Sequence, residues 1–464
     1  MGGKALLGKR RSEMDMTEGG IVKNLLTFAF PLLLGNLFQQ LYNMVDTWVI
    51  GQTGENAAYA AVGSVGPVIN IMIGIFSGLA SGAGVVISRH YGAKDTDGVK
   101  RAVHSSLVLT AAFAVIFTAL GVLLTPTALR LMFGSDDSEI FHQAKIYLII
   151  YFGGMVGLLF YNMCAGILRA VGDSRHPFYY LLVSAITNII LDLLFVFAFG
   201  MGVAGVAWAT VIAQLLSAIL SVITLLRTDT CVRVSVGDLR MDWSISKSIF
   251  LIGFPAAIQL ALTAFSNVFV QSYIAGVNLD QTAALGGWTS YSKIDQFLFL
   301  PSQSLGLAVT TFVGQNLGAG NVARARRGVR LAILMATIIT IPAILIVMGT
   351  APFLSAIFNA DPGVVACATT LLHYLTPFYI FTCVNQLLAA GLRGAGNSTA
   401  PMVIMLSTFV GFRQLYLFVV STYISNDLLP VAFGYPAGWA LCCLTLTIYY
   451  ACYKFKSAKK EASV

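Results

Sequence analysis

Apolar runs long enough to cross a bilayer recur along almost the whole chain and leave it few folds to choose from. Candidate spans fall at roughly 25–50, 60–87, 101–124, 143–167, 177–199, 203–226, 247–275, 283–312, 327–350, 365–391, 401–424 and 430–453. A spanning helix needs about 20 mostly apolar residues, and backbone in lipid must satisfy its own hydrogen bonds. The expected fold class is an all-α polytopic membrane protein with twelve transmembrane helices. Only 10% of the 464 residues are charged, where a soluble domain carries about 25%.

The lysines and arginines test the count of spans. With the N-terminus inside, 24 of the 28 fall in inner segments. Arg130 and Lys145 fall outside; Lys293 and Arg413 fall within spans. Such a bias predicts an even number of spans with both termini in the cytoplasm, as for a multi-pass protein of the inner (plasma) membrane. It also accounts for the net charge of +8 without a nucleic-acid partner. The seven cysteines (Cys164, Cys231, Cys367, Cys383, Cys442, Cys443, Cys452) have no metal-site spacing and nearly all lie in apolar runs, so they read as small core residues.

A shift of 224 residues lays the chain on itself. It places Lys23 on Lys247, Phe30-Pro31 on Phe254-Pro255, Asn43 on Asn267 and Gly63 on Gly287. Further on, Leu168-Arg169 meets Leu392-Arg393, Gly172 meets Gly396 and Pro177 meets Pro401. Six spans per copy is an even number, so the repeat is parallel, a common transporter plan. The expected organisation is a tail at 1–24, an N-lobe at 25–227, a linker at 228–246, a C-lobe at 247–453 and a second tail at 454–464.

Polar residues inside the spans carry the functional signal. Residues 28–51 read FAFPLLLGNLFQQLYNMVDTWVIG. At about 100° per residue, Asn36, Gln39, Gln40, Asn43 and Asp46 fall within an arc of roughly 120°. That face either ends near a membrane interface or lines a water-filled or ion-binding cavity, because an acid at mid-membrane costs about 2.5–3.5 kcal/mol. Pro31, early in the span, is a candidate bend. Span 5 carries Ser184, Asn188 and Asp192 four residues apart, hence on one face. Asn162 and Thr210 are polar side chains of the same half. Singly, such residues hydrogen-bond neighbouring helices; two carboxylates in one half point instead to a site for a proton or a hard monovalent cation. Asp46 and Asp192 are the candidates for that site, with Asn162, Asn188 and Thr210 the polar side chains available in the same half and Na⁺ the metal considered, at Asp46, Asn188, Asp192 and Thr210.

Span 8 carries Trp288, Tyr291, Asp295 and Phe299 at helical spacing. Aromatic rings beside a carboxylate suit a lipophilic cation, and a packing stripe gives the same spacing. Arg413 either pairs with Asp295 or lines the cavity. Gln40, Asn43, Trp288, Tyr291, Asp295 and Arg413 are the candidate substrate contacts. The histidines (His90, His104, His142, His176, His373) are scattered, and no Gly-Lys-Ser/Thr phosphate loop appears, which argues against direct ATP drive. No enzyme activity and no cofactor beyond H⁺ or Na⁺ is expected.

With these features in hand, the chain resembles the multidrug and toxic compound extrusion (MATE) family, nearest its DinF-like branch, over essentially its full length. The resemblance is carried by residues 28–51, by the duplicated halves, by YGAK (91–94) with LGAG (317–320), and by LRAVGDSRHP (168–177) with LRGAGNSTAP (392–401). It implies two lobes around a central cavity and export of organic cations and drugs in exchange for Na⁺ or H⁺, by a monomer in the bilayer. The DinF-like coupling residues match Asp46, Asn162, Asn188, Asp192 and Thr210, and the bending proline of helix 1 matches Pro31. Other branches place acids on helices 7 and 10; spans 7 and 10 here hold no Asp or Glu, which throws the coupling onto the N-lobe. The alternatives are a flippase for lipid-linked sugars or another amphiphile and, from a different class, a membrane-embedded transferase. The transferase would need clustered acids for Mg²⁺-diphosphate, and the loops show only scattered ones such as Asp95 and Asp97.

Overall fold

The computed structural model describes residues 13–52, 56–133 and 138–455. Residues 1–12 and 456–464, which hold most of the two expected tails, lie outside them. No strand occurs among the described residues. Helices α1 (Ile21–Gly51), α2 (Asn56–Gly92), α3 (Thr96–Phe133), α4 (Glu139–Gly153), α5 (Met155–Ala170), α6 (Arg175–Leu193) and α7 (Gly202–Arg227) form the first half. The second half contains α8 (Trp243–Ala275), α9 (Gln281–Gly318), α10 (Val322–Phe358), α11 (Pro362–Leu375), α12 (Tyr379–Gly394), α13 (Thr399–Leu406), α14 (Arg413–Val419), α15 (Leu428–Ala432) and α16 (Gly434–Cys452).

Among the described residues, eleven helical stretches are long and apolar enough to cross a membrane, and the bent pair α4–α5 makes twelve. The fourth span, one apolar run in the sequence, is built from two helices: α4 and α5 meet at 47°, where Gly154 ends one helix and starts the other. Several helices outrun the apolar core of a bilayer. The 38 residues of α9 extend for about 57 Å, against about 30 Å of hydrocarbon.

The chain divides into two compact units. One takes the residues through Met16 and Phe30–Gly253; the other takes Thr17–Ala29 and the residues from Phe254 on. The divisions fall inside α1 just before Pro31 and inside α8 just before Pro255, which are repeat mates. Helix α1 nonetheless runs unbroken through Pro31. Of the unbroken spans, α2 in the first unit and its mate α9 in the second are the most buried. Helices α3 and α10 instead turn residues such as Leu123, Leu345 and Ile346 outward, as lipid-facing helices do.

The repeat extends to the loop caps. Gly172 and Gly396 both hold positive φ, 90° and 76°, which only glycine adopts at no steric cost. The residue after each then caps the next helix. Asp173 Oδ1 accepts from the backbone N–H of Arg175 and His176, and Asn397 Oδ1 accepts from that of Ala400. The YGAK and LGAG loops also share a left-handed residue, Lys94 in one and Gly320 in the other. Close packing of α2 on α8 in the first unit depends on Gly82 and Gly253, since a Cβ at Gly82 would sit 2.5 Å from the Ile249 carbonyl oxygen.

Candidate functional site

In the first unit the two intramembrane acids come together. Asp46, late in α1, and Asp192, near the end of α6, lie within direct interaction range of each other, and Asn188 reaches Asp46 as well. Ser184, Asn188 and Asp192 all point to the buried face of α6, as their spacing of four requires. Asp192 is wholly buried and Asp46 is 8% exposed. Asn188 Nδ2 donates to Thr210 Oγ1 at 3.5 Å, and that hydroxyl donates to the Val206 carbonyl at 3.0 Å. Asp46 Oδ1, Asn188 Oδ1 and both Asp192 carboxylate oxygens are buried without a well-formed hydrogen bond. The site thus gathers acceptor oxygens with no base among them. Unpartnered buried acceptors are costly, and a proton or small cation among them removes that cost.

The fifth candidate, Asn162, sits half-buried on α5, with its amide donating to the Leu158 carbonyl of its own helix at 2.8 Å. Three tyrosines absent from the sequence reading complete the surroundings. Tyr147 lies within electrostatic reach of both acids, and Tyr42 and Tyr151 within reach of Asp46. Tyr147 and Tyr151 stack at 6.1 Å on successive turns of α4. That spacing of four was the available signal, but it equally describes packing. Just past Asp192, Leu194–Ala198 widens into a π turn, a feature frequent at functional sites. Gln40 and Asn43 share α1 with Asp46; Gln40 is half-buried and Asn43 exposed.

The second unit holds the other candidates. Trp288 and Tyr291 are buried in its apolar core, with ring centres 5.2 Å apart. Asp295, one turn further along α9, is half-buried and lies within electrostatic reach of Tyr291 and Tyr435. Tyr435 of α16 lies 5.3 Å from Trp288. Arg413 does not pair with Asp295. It donates to Ser266 and Asn267 of α8 and packs on the Tyr435 ring. No cluster of His, Cys, Asp and Glu suited to a metal ion occurs among the described residues.

The family model described as MatE matches the chain twice, over residues 31–194 and again over 255–418. The chain belongs to the MatE family. The two matches are offset by the same 224 residues as the repeat and each begins at the paired prolines. This is a family of multi-span membrane transporters, not enzymes. The chain is 29% identical to the probable multidrug resistance protein YoeA of Bacillus subtilis, covering 96% of each chain. It is 28% identical to the probable multidrug resistance protein NorM of Thermotoga maritima, covering 89% of each. Its fold matches an outward-facing multidrug resistance MATE family transporter with a TM-score of 0.90, at 22% identity and over 96% of this chain and 98% of that one.

Proposed function

We propose that this MatE protein is a secondary antiporter that exports cationic and amphipathic drugs in exchange for H⁺ or Na⁺ by alternating access. The multidrug resistance names of its relatives support the drug substrate. The observation that carries the ion coupling is the buried Asp46–Asp192 pair with Asn188 and Thr210 beside it. Two ionised carboxylates in contact repel strongly in a low dielectric. A proton shared by them, or Na⁺ held by their oxygens with those of Asn188 and Thr210, relieves that repulsion. Thr210 and Asn188 supply neutral oxygens, which suit a hard monovalent ion. No acid stands at the equivalent positions of the second half, where the shift places Val270 and Tyr416, so one coupling site per chain is proposed.

Exchange follows when ion and drug favour different arrangements of α1, because a ligand with equal affinity for both shifts nothing. Ethidium efflux from right-side-out vesicles preloaded with the dye, with the pH and Na⁺ gradients imposed separately, tests this reading. The expected result is efflux driven by at least one gradient and abolished when that gradient is collapsed. Efflux indifferent to both gradients would overturn it.

A further inference from the structure

The second unit buries a base where the first has none. The shift of 224 places Arg413 on Ile189, an apolar residue. Arg413 opens α14 directly after the π turn Ser407–Phe412, and only 3% of it is exposed. Its Nη2 donates to Ser266 Oγ and to Asn267 Oδ1, each at 2.9 Å. The guanidinium carbon stands 4.5 Å over the Tyr435 ring. Its Nε is buried with no acceptor. Every one of these partners is neutral. The ion pairs His90–Asp95, Arg101–Asp242 and His176–Asp173 lie elsewhere, and Arg413 takes part in none of them.

A buried cation held only by dipoles is incompletely compensated. The planar guanidinium fork is matched to the two oxygens of a carboxylate. Two of its partners reach the surface of the unit, Asn267 being exposed and Tyr435 half-buried. Asp295 stands in the same unit, and Tyr435 lies within electrostatic reach of both Asp295 and Arg413. The ring packed on Arg413 thus lies within electrostatic reach of an acid that forms no ion pair with that base. That arrangement complements a flat molecule carrying one charge of each sign.

We propose that Arg413 receives the carboxylate of an amphoteric drug whose cationic end goes to Asp295, with the half-buried Tyr435 covering the ring system. The second unit then selects zwitterionic substrates over analogues that are only cationic. This rests on the transporter reading above. It assigns Arg413 as a specificity determinant in place of a partner for Asp295.

The test is equilibrium binding to the purified full chain in nanodiscs without any gradient. The probes are ciprofloxacin, which carries a carboxylate and a piperazine amine, and its ethyl ester, which keeps only the amine. Wild type is expected to bind ciprofloxacin at least tenfold more tightly than the ester. Arg413→Gln should lose about tenfold for ciprofloxacin and less than twofold for the ester, with Arg413→Lys between. Should Arg413→Gln fail to fold, Asn267→Asp decides, because it puts a carboxylate against Nη2 and should reject ciprofloxacin while sparing the ester. Equal losses for both probes would mark Arg413 as a staple of the π turn and overturn the proposal, as would a wild type with no preference. Intact preference with no gradient-driven efflux would instead count against the antiport reading alone.

Discussion

Asp46 and Asp192 are far apart in the chain yet meet in the buried interior of the first unit, one from α1 and one from α6. Their repeat mates, Val270 and Tyr416, cannot do the same chemistry. Duplication thus kept the scaffold in both halves and the acids in one. Asp46→Asn or Asp192→Asn should each lower gradient-driven ethidium efflux at least tenfold at equal membrane abundance. Wild-type drug resistance in both variants would show that the pair does not couple transport.

Pro31 marks where α1 passes from one compact unit to the other. A proline inside a helix leaves the carbonyl four residues earlier without its usual donor, so α1 has a built-in place to bend and a route to two discrete arrangements. Pro31→Ala is expected to keep equilibrium ion binding but lose most transport, together with the mutual antagonism of ion and drug. Linkage requires that antagonism to be reciprocal in the wild type. Drug affinity measured with and without the ion, in both proteins, decides it; undiminished antagonism in the variant would remove Pro31 from the mechanism.

Asp295 lies within electrostatic reach of Tyr291 and Tyr435, so a cation bound there would meet charge with aromatic rings nearby. Asp295→Asn should weaken binding of cationic drugs about tenfold and of neutral ones about twofold or less. An equal loss for the two classes, read by fluorescence titration, would make Asp295 structural.

Outside the spans, Asp95 gives a pH signature. Its Oδ1 accepts from the Gly98 N–H at 2.9 Å, and its Oδ2 lies 2.8 Å from His90 Nδ1. The Gly98 hydrogen bond chiefly, with His90 and Arg101 adding to it, holds this carboxyl below its ordinary range. A depressed folded-state pKa gives stability that is present above the unfolded value of about 3.9 and is lost as pH falls through the folded one. Asp95→Ala should therefore cost about 0.5–1 kcal/mol at pH 7, as for a lost and half-exposed helix cap. The difference in melting temperature should close below about pH 4. A difference unchanged down to pH 3 would refute the capping account.

Much of this architecture is legible in the residues because the signals are repeated. The apolar runs set the spans, and LRAVGDSRHP with LRGAGNSTAP marks one loop twice, down to the capping Asp173 and Asn397. Ser184, Asn188 and Asp192 fall on one face by spacing alone. The break at Gly154 and the π turns at Leu194–Ala198, Ser407–Phe412 and Val420–Ile424 are not legible, since each leaves the run of apolar residues intact. Tyr42, Tyr147 and Tyr151 escape for a related reason: a tyrosine in an apolar run looks like packing until the fold sets it beside an acid. The partners of Arg413 depend on contacts among α8, α14 and α16, which no local pattern encodes.

The most direct test of the coupling claim is ion release on drug binding. Purified protein in weakly buffered nanodiscs, or loaded with radioactive Na⁺, is titrated with ethidium while released protons or Na⁺ are counted. The account predicts release from wild type and none from the Asp46→Asn/Asp192→Asn double variant, which should still bind ethidium. Release of the same size from the double variant, or no release of either ion from wild type, would contradict it.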